Sequence, residues 1–208
     1  MTHFRSHQTW VLHGLSVILA FSATLTGTQA AAGSKRDQGA RTRVVARLYN
    51  SAQVPAATRD NALAVATRTL AHGIDMVWRS CDHPQACAAV LTTGELVIRL
   101  VRTRTGKGNS AVFALGQALI DIGAGAGVFA TVYVDQVERM AEISEIDREV
   151  LLGRAIAHEL GHLLMMTNAH TSSGLMRAQW TALLIRRNRP GDWALTKENI
   201  ATIRKRLG

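Results

Sequence analysis

The stretch His158-Glu159-Leu160-Gly161-His162, followed by Leu163-Leu164-Met165-Met166-Thr167-Asn168-Ala169-His170 and then Thr171-Ser172-Ser173-Gly174-Leu175-Met176, decides how the rest of the chain is read. In an α-helix, residues four apart lie about 40° apart around the axis and about 6 Å apart along it, so His158 and His162 project from one face as a two-pronged clamp for a metal ion. Glu159 borders that face. A glutamate there can polarise a metal-bound water without being a ligand, which is the division of labour in metal-assisted hydrolysis. A catalytic zinc takes three protein ligands and keeps one position open, so a third donor is needed, and His170 is the nearest candidate. The chain has eight histidines, and three of them fall between positions 158 and 170, a concentration that composition alone does not arrange.

The stretch resembles the metzincin branch of the zincin metallopeptidases, whose pattern is H-E-x-x-H-x-x-G-x-x-H followed by a methionine turn. His158, Glu159 and His162 match position by position. The family's glycine falls on Met165 and its third histidine on Asn168, while His170 comes two residues later. Glycine normally lets the chain leave the helix and swing the third ligand back. With methionine in its place, the helix is expected to run on slightly and break near Thr167-Asn168, where asparagine tolerates the left-handed conformation. Ser173-Gly174-Leu175-Met176 resembles the methionine turn beneath the metal, set closer to the third histidine than in most metzincins. Arg177 stands where some members carry tyrosine.

The resemblance implies one zinc ion held by His158, His162 and His170, with Glu159 as the catalytic base, Met176 in the turn, and a protein or peptide as substrate. Two other readings stay open. In a gluzincin-like arrangement a downstream glutamate, here Glu198, replaces the third histidine. A secreted binding protein could also keep the zincin scaffold and hydrolyse nothing.

A length of 208 residues suggests one folded domain. Its first residues read differently. Arg5 precedes a largely apolar run from Trp10 to Ala23, and Thr28-Gln29-Ala30-Ala31-Ala32 offers small residues for cleavage, the pattern of a secretory signal peptide. The apolar run is shorter than a membrane span and is broken by His13, Gly14 and Ser16. The expected organisation is a signal peptide over 1–30, a linker over 31–42 and the folded domain over 43–208, in a secreted or periplasmic protein without stable membrane insertion once the signal is removed. In such an oxidising compartment Cys81 and Cys87, the two cysteines of the chain, could close a disulfide loop that stabilises by roughly 2 kcal/mol. The alternative, a Cys/His metal site using His83, lacks further ligand types nearby in sequence.

The net charge is +9, from 24 basic and 15 acidic residues. Basic residues cluster late, at Arg186-Arg187-Asn188-Arg189 and Arg204-Lys205-Arg206. Few aromatics and no recognition motif accompany them, so no nucleic-acid partner is expected. They read as solvated faces favouring acidic substrates or anionic surfaces.

Taken in order, residues 43–50 read as a strand, Pro55 suits a helix start, and Leu63, Ala66 and Leu70 recur at helical spacing. His72 lies where a helix end accepts positive charge. Residues 74–80 and 95–101 read as strands, the latter with Leu96, Ile98 and Leu100 on one face. Gly106-Lys107-Gly108 lacks the flanking residues of a phosphate loop. Residues 112–119 form a short apolar run, 121–127 a glycine-rich loop and 128–135 another strand. In order and spacing these resemble the metzincin edge strand, its loop and the last strand, which implies that residues near 115–119 hold extended substrate by strand addition. Ser144-Glu145-Ile146-Asp147 reads as a capping box opening the long helix that carries His158 and His162. Leu152, Ile156, Leu160, Leu163 and Leu164 form its expected buried stripe. Trp180 and Trp193 read as covers of the core, and residues 195–207 as a last helix. The expected class is α+β and zincin-like: a mixed twisted sheet of about five strands, a backing helix, an active-site helix and a small C-terminal helical part.

Overall fold

The computed structural model describes residues 41–208 except 73, 93, 104–113, 122, 124 and 125. The expected signal peptide, nearly all of the linker, most of the basic stretch before Asn109 and parts of the glycine-rich loop lie outside the described residues.

The architecture is α+β. Strand β1 (Thr42–Asn50) leads through helix α1 (Ala56–Leu70) to β2 (Ile74–Ser80), then to β3 (Leu96–Val101), β4 (Gly116–Asp121) and β5 (Ala126–Tyr133). Their spatial order is β2-β1-β3-β5-β4. Four strands run parallel, and β4, at the edge, runs antiparallel to β5 with a register shift between Leu119 and Ile120. The β3 pattern holds as expected: Leu96, Ile98 and Leu100 are buried on one face. On α1, Ala62, Leu63, Ala66 and Leu70 are buried, and spacings of three and four turn these side chains onto a single packed face.

Helices α2 (Val134–Ser144) and α3 (Arg148–Met165) follow, then α4 (Ala182–Arg187) and α5 (Lys197–Leu207). Here two expectations are corrected. The strand that was to run to Asp135 ends at Tyr133 and passes directly into α2, which no glycine or proline announces. Val134, Val137, Ala141 and Ser144 are the buried positions of α2, a helical period continuing straight from the strand. Ser144 is therefore the last residue of α2 and not a cap for α3. Its side chain is fully buried, with no hydrogen-bond partner for Oγ among the described residues. Glu145 turns the chain in the left-handed conformation, with φ of 54°, and Asp147 precedes α3 without a side-chain capping bond.

The long helix is also more enclosed than a single apolar stripe implies. Every residue from Leu151 to Met165 is buried, because α3 crosses the middle of the molecule, with α1, β4, β5 and α2 among its neighbours. Helices buried on all sides belong to the core. α1 comes so close that a Cβ on Gly153 would stand 2.4 Å from the Ala62 carbonyl oxygen. Glycine at 153 permits that approach.

Cys81 and Cys87 are joined by a disulfide. The following loop is held by a residue that the strand pattern did not single out. Arg47, buried in β1, pairs with Glu95 at 2.5 Å and donates to the carbonyls of Ala89 at 2.7 Å and Val90 at 3.0 Å. A buried guanidinium needs such partners to offset its lost hydration. No helix among the described residues is long and apolar enough to cross a membrane.

Candidate metal centre

His158 and His162 sit on consecutive turns near the end of α3, and their Nε2 atoms approach to 3.1 Å. Each ring is fixed from behind. His158 Nδ1 lies 2.8 Å from the Leu175 carbonyl oxygen, and His162 Nδ1 lies 2.7 Å from the Thr167 carbonyl oxygen. A carbonyl can only accept, so both Nδ1 atoms carry the proton and donate. Both Nε2 atoms then present lone pairs to each other with no proton between them, an arrangement that a cation resolves. Two nitrogens about 2.0–2.1 Å from one tetrahedral zinc would stand about 3.3 Å apart, close to the spacing present.

Burial favours the same state. The pKa of His158 is pushed down to about 4, chiefly by desolvation. That of His162 is lowered, again first by desolvation. Neutral imidazole is the form that binds metal, so the fold prepares both rings.

His170 completes the group. The ligand atoms of His158, His162 and His170 all lie within 4.8 Å of one another, and this is the group of three potential metal ligands among the described residues. The route differs from expectation. The helix ends at Met165 and the break falls on Met166, which takes the left-handed conformation with φ of 54° and ψ of 47°. It does not fall at Thr167-Asn168. A non-glycine residue is strained there, yet the turn brings the Thr167 carbonyl to His162 and its N–H to the His162 carbonyl, at 3.2 Å. Asn168, at the position where the metzincin pattern has its histidine, lines the adjoining cavity, while His170 joins the other two rings. Glu198 lies exposed in the first turn of α5 and is not in that group.

Met176 is fully buried. A Cβ on Gly161 would stand 2.6 Å from its sulfur, so the turn packs directly on α3 one residue before His162. Gly174 makes the turn possible: its φ is +74°, and a Cβ there would meet the Ala194 carbonyl oxygen at 2.5 Å. Thr171 N–H closes the turn on the Met176 carbonyl at 2.9 Å. The same turn supplies the Leu175 carbonyl that orients His158.

Glu159 lies against Gly116 of the edge strand, where a Cβ would come within 2.6 Å of its carboxylate. Burial raises its pKa to about 8, so without a cation nearby the group holds a proton at neutral pH. A cavity of about 610 Å³ opens between β4 and the segment after Met176, lined by all three histidines and Glu159.

No family model matches the chain, nor does any curated protein. Among solved structures, the chain resembles archaemetzincin from Methanopyrus kandleri at 16% identity, over 82% of this chain and 97% of that one, with a TM-score of 0.46. At that identity no residue's role follows from the likeness.

Trp180 and Trp193 both cover the core, as expected, and Trp180 also faces the site. Trp193 is buried as expected, but Trp180 is half-buried, lines the cavity and packs edge-on against His158 with ring centroids 5.3 Å apart. Trp180 also packs edge-on against Trp193, with ring centroids 5.0 Å apart, and the Arg154 guanidinium lies over the Trp193 ring, 4.0 Å from its centroid. Sequence reasoning also missed the two orienting carbonyls, Gly116 and the wall position of Arg177. A Gly-Leu-Met turn and a glycine heading a strand were visible signals for the Leu175 carbonyl and for Gly116, but not for the Thr167 carbonyl. Nothing in the sequence gave the direction of Trp180 or Arg177.

Proposed function

We propose that the chain is a secreted zinc-dependent peptidase hydrolysing peptide bonds, with His158, His162 and His170 as zinc ligands and Glu159 as the catalytic base. The observation that carries this reading is the facing pair of Nε2 lone pairs, whose tautomers are fixed by carbonyls on the opposite side of each ring. A bound zinc supplies a Lewis acid for the scissile carbonyl and a nucleophile from water at neutral pH.

The chain's own residues do the rest. Glu159 accepts the proton of the attacking water as its oxygen adds to the carbonyl carbon, and returns it to the amine nitrogen as the C–N bond breaks. β4, which among the described residues pairs with β5 alone, offers its outer backbone groups to an extended peptide by strand addition. Glu159 touches that strand at Gly116, so a peptide lying along it passes the base. Met176 supports the floor under the histidines. Export through a signal peptide over residues 1–30 accords with the disulfide between Cys81 and Cys87.

The test is metal analysis of purified protein joined to digestion of a general peptide library with and without chelator. One zinc per chain and chelator-sensitive cleavage are expected. Zinc at that ratio with no chelator-sensitive cleavage would instead identify a binding protein on this scaffold. His170→Ala should lower bound zinc, whereas Glu198→Ala should not. The opposite pattern would move the third ligand to Glu198.

A further inference from the structure

Among the described residues that line the cavity, Glu159 is the one acidic residue and Arg177 the one arginine or lysine. Arg177 directly follows Met176 and belongs to the closed turn: it bridges to Thr171, and its N–H donates to the Gly174 carbonyl at 3.3 Å. Its side chain is only 25% exposed. Nε donates to the Ser172 carbonyl at 3.2 Å, which fixes the plane of the guanidinium. The far edge is weakly engaged. The nearest carboxylate, Asp192, stands 4.0 Å from Nη2, and its other oxygen is held by Arg187 at 2.8 Å. One carboxylate between two guanidiniums leaves an uncompensated positive charge beside the cavity.

We propose that Arg177 binds a carboxylate of the substrate, so that the cleft selects peptides carrying an anionic group close to the scissile bond. This rests on the peptidase reading above. A guanidinium with Nε anchored still has two terminal nitrogens to offer as parallel donors, the geometry that a carboxylate matches. The other polar groups on the walls, Gln117, Asn168, Gln179 and Thr181, are neutral and do not sort peptides by charge. A peptide along β4 faces the segment 177–181 across the cavity, which brings its side chains or its terminus to Arg177. The carboxylate can belong to an Asp or Glu side chain or to a free C-terminus, and the chemistry is the same in both.

Three peptide series separate these sources: neutral with an amidated C-terminus, the same with one Asp or Glu near the scissile bond, and neutral with a free C-terminus. Cleavage by the zinc-loaded protein gives kcat and KM, and binding to Glu159→Gln protein gives Kd by fluorescence anisotropy. One anionic series should exceed the neutral amidated one by about 10- to 100-fold in kcat/KM, the range of hydrogen bonds to charged partners. Its identity names the source. Arg177→Gln should remove the preference, mainly through KM and Kd. Arg177→Lys should keep part of it, since an ammonium retains the charge without the fork. Arg177→Glu should move the preference to lysine-containing peptides. Zinc content and circular dichroism of each variant establish that it is folded. A wild type that treats all three series alike in kcat/KM and Kd, or a preference that survives in folded Arg177→Gln, overturns the proposal. If nothing is cleaved although zinc is bound, the peptidase reading fails instead, and the Kd series still decides whether Arg177 holds a carboxylate.

Discussion

The two halves of α3 share one helix and serve different ends. Gly153 and Gly161 each stand where a neighbour comes too near for a side chain, but the neighbours differ. Gly153 admits the backbone of α1, whereas Gly161 admits the sulfur of Met176 below the histidines. Around Gly153 the buried residues include Leu151, Leu152 and Ile156, with Arg154 the one ionisable exception, and removing the apolar ones from water stabilises at about 25 cal/mol per Å². Around Gly161 the helix buries His158, Glu159 and His162, polar groups whose desolvation costs free energy. Even the glutamates part ways. Glu149, in the first turn, has its pKa lowered, first by a hydrogen bond from its own backbone N–H and then by Thr58 and Arg148, against some desolvation. Glu159 has its pKa raised by burial alone. The first half builds the fold, and the second spends part of that stability on holding ionisable groups in the dry.

The largest expected effect lies in the second half. Glu159→Gln is isosteric, removes the base and leaves the ligand histidines in place. Hydrolysis should fall by about 10²–10⁴-fold, the usual worth of a positioned general base, with zinc content unchanged. Activity near wild type would falsify the role given to Glu159. In the first half, Gly153→Ala should cost about 3 kcal/mol by urea unfolding, because its Cβ meets backbone that cannot turn aside. Gly161→Ala should cost under about 1 kcal/mol, since the flexible end of Met176 can shift and alanine is the better helix former. It should disturb zinc affinity instead. Equal losses of stability at the two positions would erase the distinction between the halves.

That distinction was only half legible in the sequence. Strands β1, β2 and β3 and helix α1 announce themselves by period and by turn residues, and β4 and β5 could be located from an apolar run and a valine-rich one. His158 and His162 are four apart, so helical geometry alone turns both toward one point. α2 was hidden because Tyr133 passes into Val134 without a breaker, and β-branched residues look the same at the end of a strand as at the start of a helix. Met166 was hidden for another reason. Its left-handed turn runs against the preference of a non-glycine residue and is closed by bonds between residues five apart, the His162 ring N–H to the Thr167 carbonyl and the Thr167 N–H to the His162 carbonyl. Single-residue propensity does not reveal a turn selected by a side-chain bond across it. Ser144 shows the converse error, a sound local motif overridden because the residue was already committed to the preceding helix.

The smaller effects concern pH in the metal-free protein, where the two halves should respond with opposite sign. Glu159 has a folded-state value of about 8 against 4.5 for an unperturbed glutamate. Between those values the folded protein binds more protons than the unfolded chain, so stability falls as pH rises. His158, lowered from 6.5 to about 4, and His162, lowered as well, act the other way below about pH 7.5, where the unfolded chain binds the extra protons. Above about pH 7.5 both histidines are neutral in either state and Glu159 acts alone. From pH 6.5 to 8 the chelated protein should lose roughly 1 kcal/mol by urea unfolding, the histidines offsetting part of the Glu159 loss, and Glu159→Gln should instead gain slightly. Glu149 follows the ordinary carboxylate pattern. Its folded-state value lies below 4.5, so its contribution is present at neutral pH and vanishes as the medium is acidified through that value. Glu149→Gln should therefore cost about 0.3–1 kcal/mol at pH 7, the scale of a helix-terminal charge, and leave the slope between pH 6.5 and 8 intact. If that slope vanished in Glu149→Gln and persisted in Glu159→Gln, the dry carboxylate would be at the wrong end of the helix, and the base would have to be sought elsewhere.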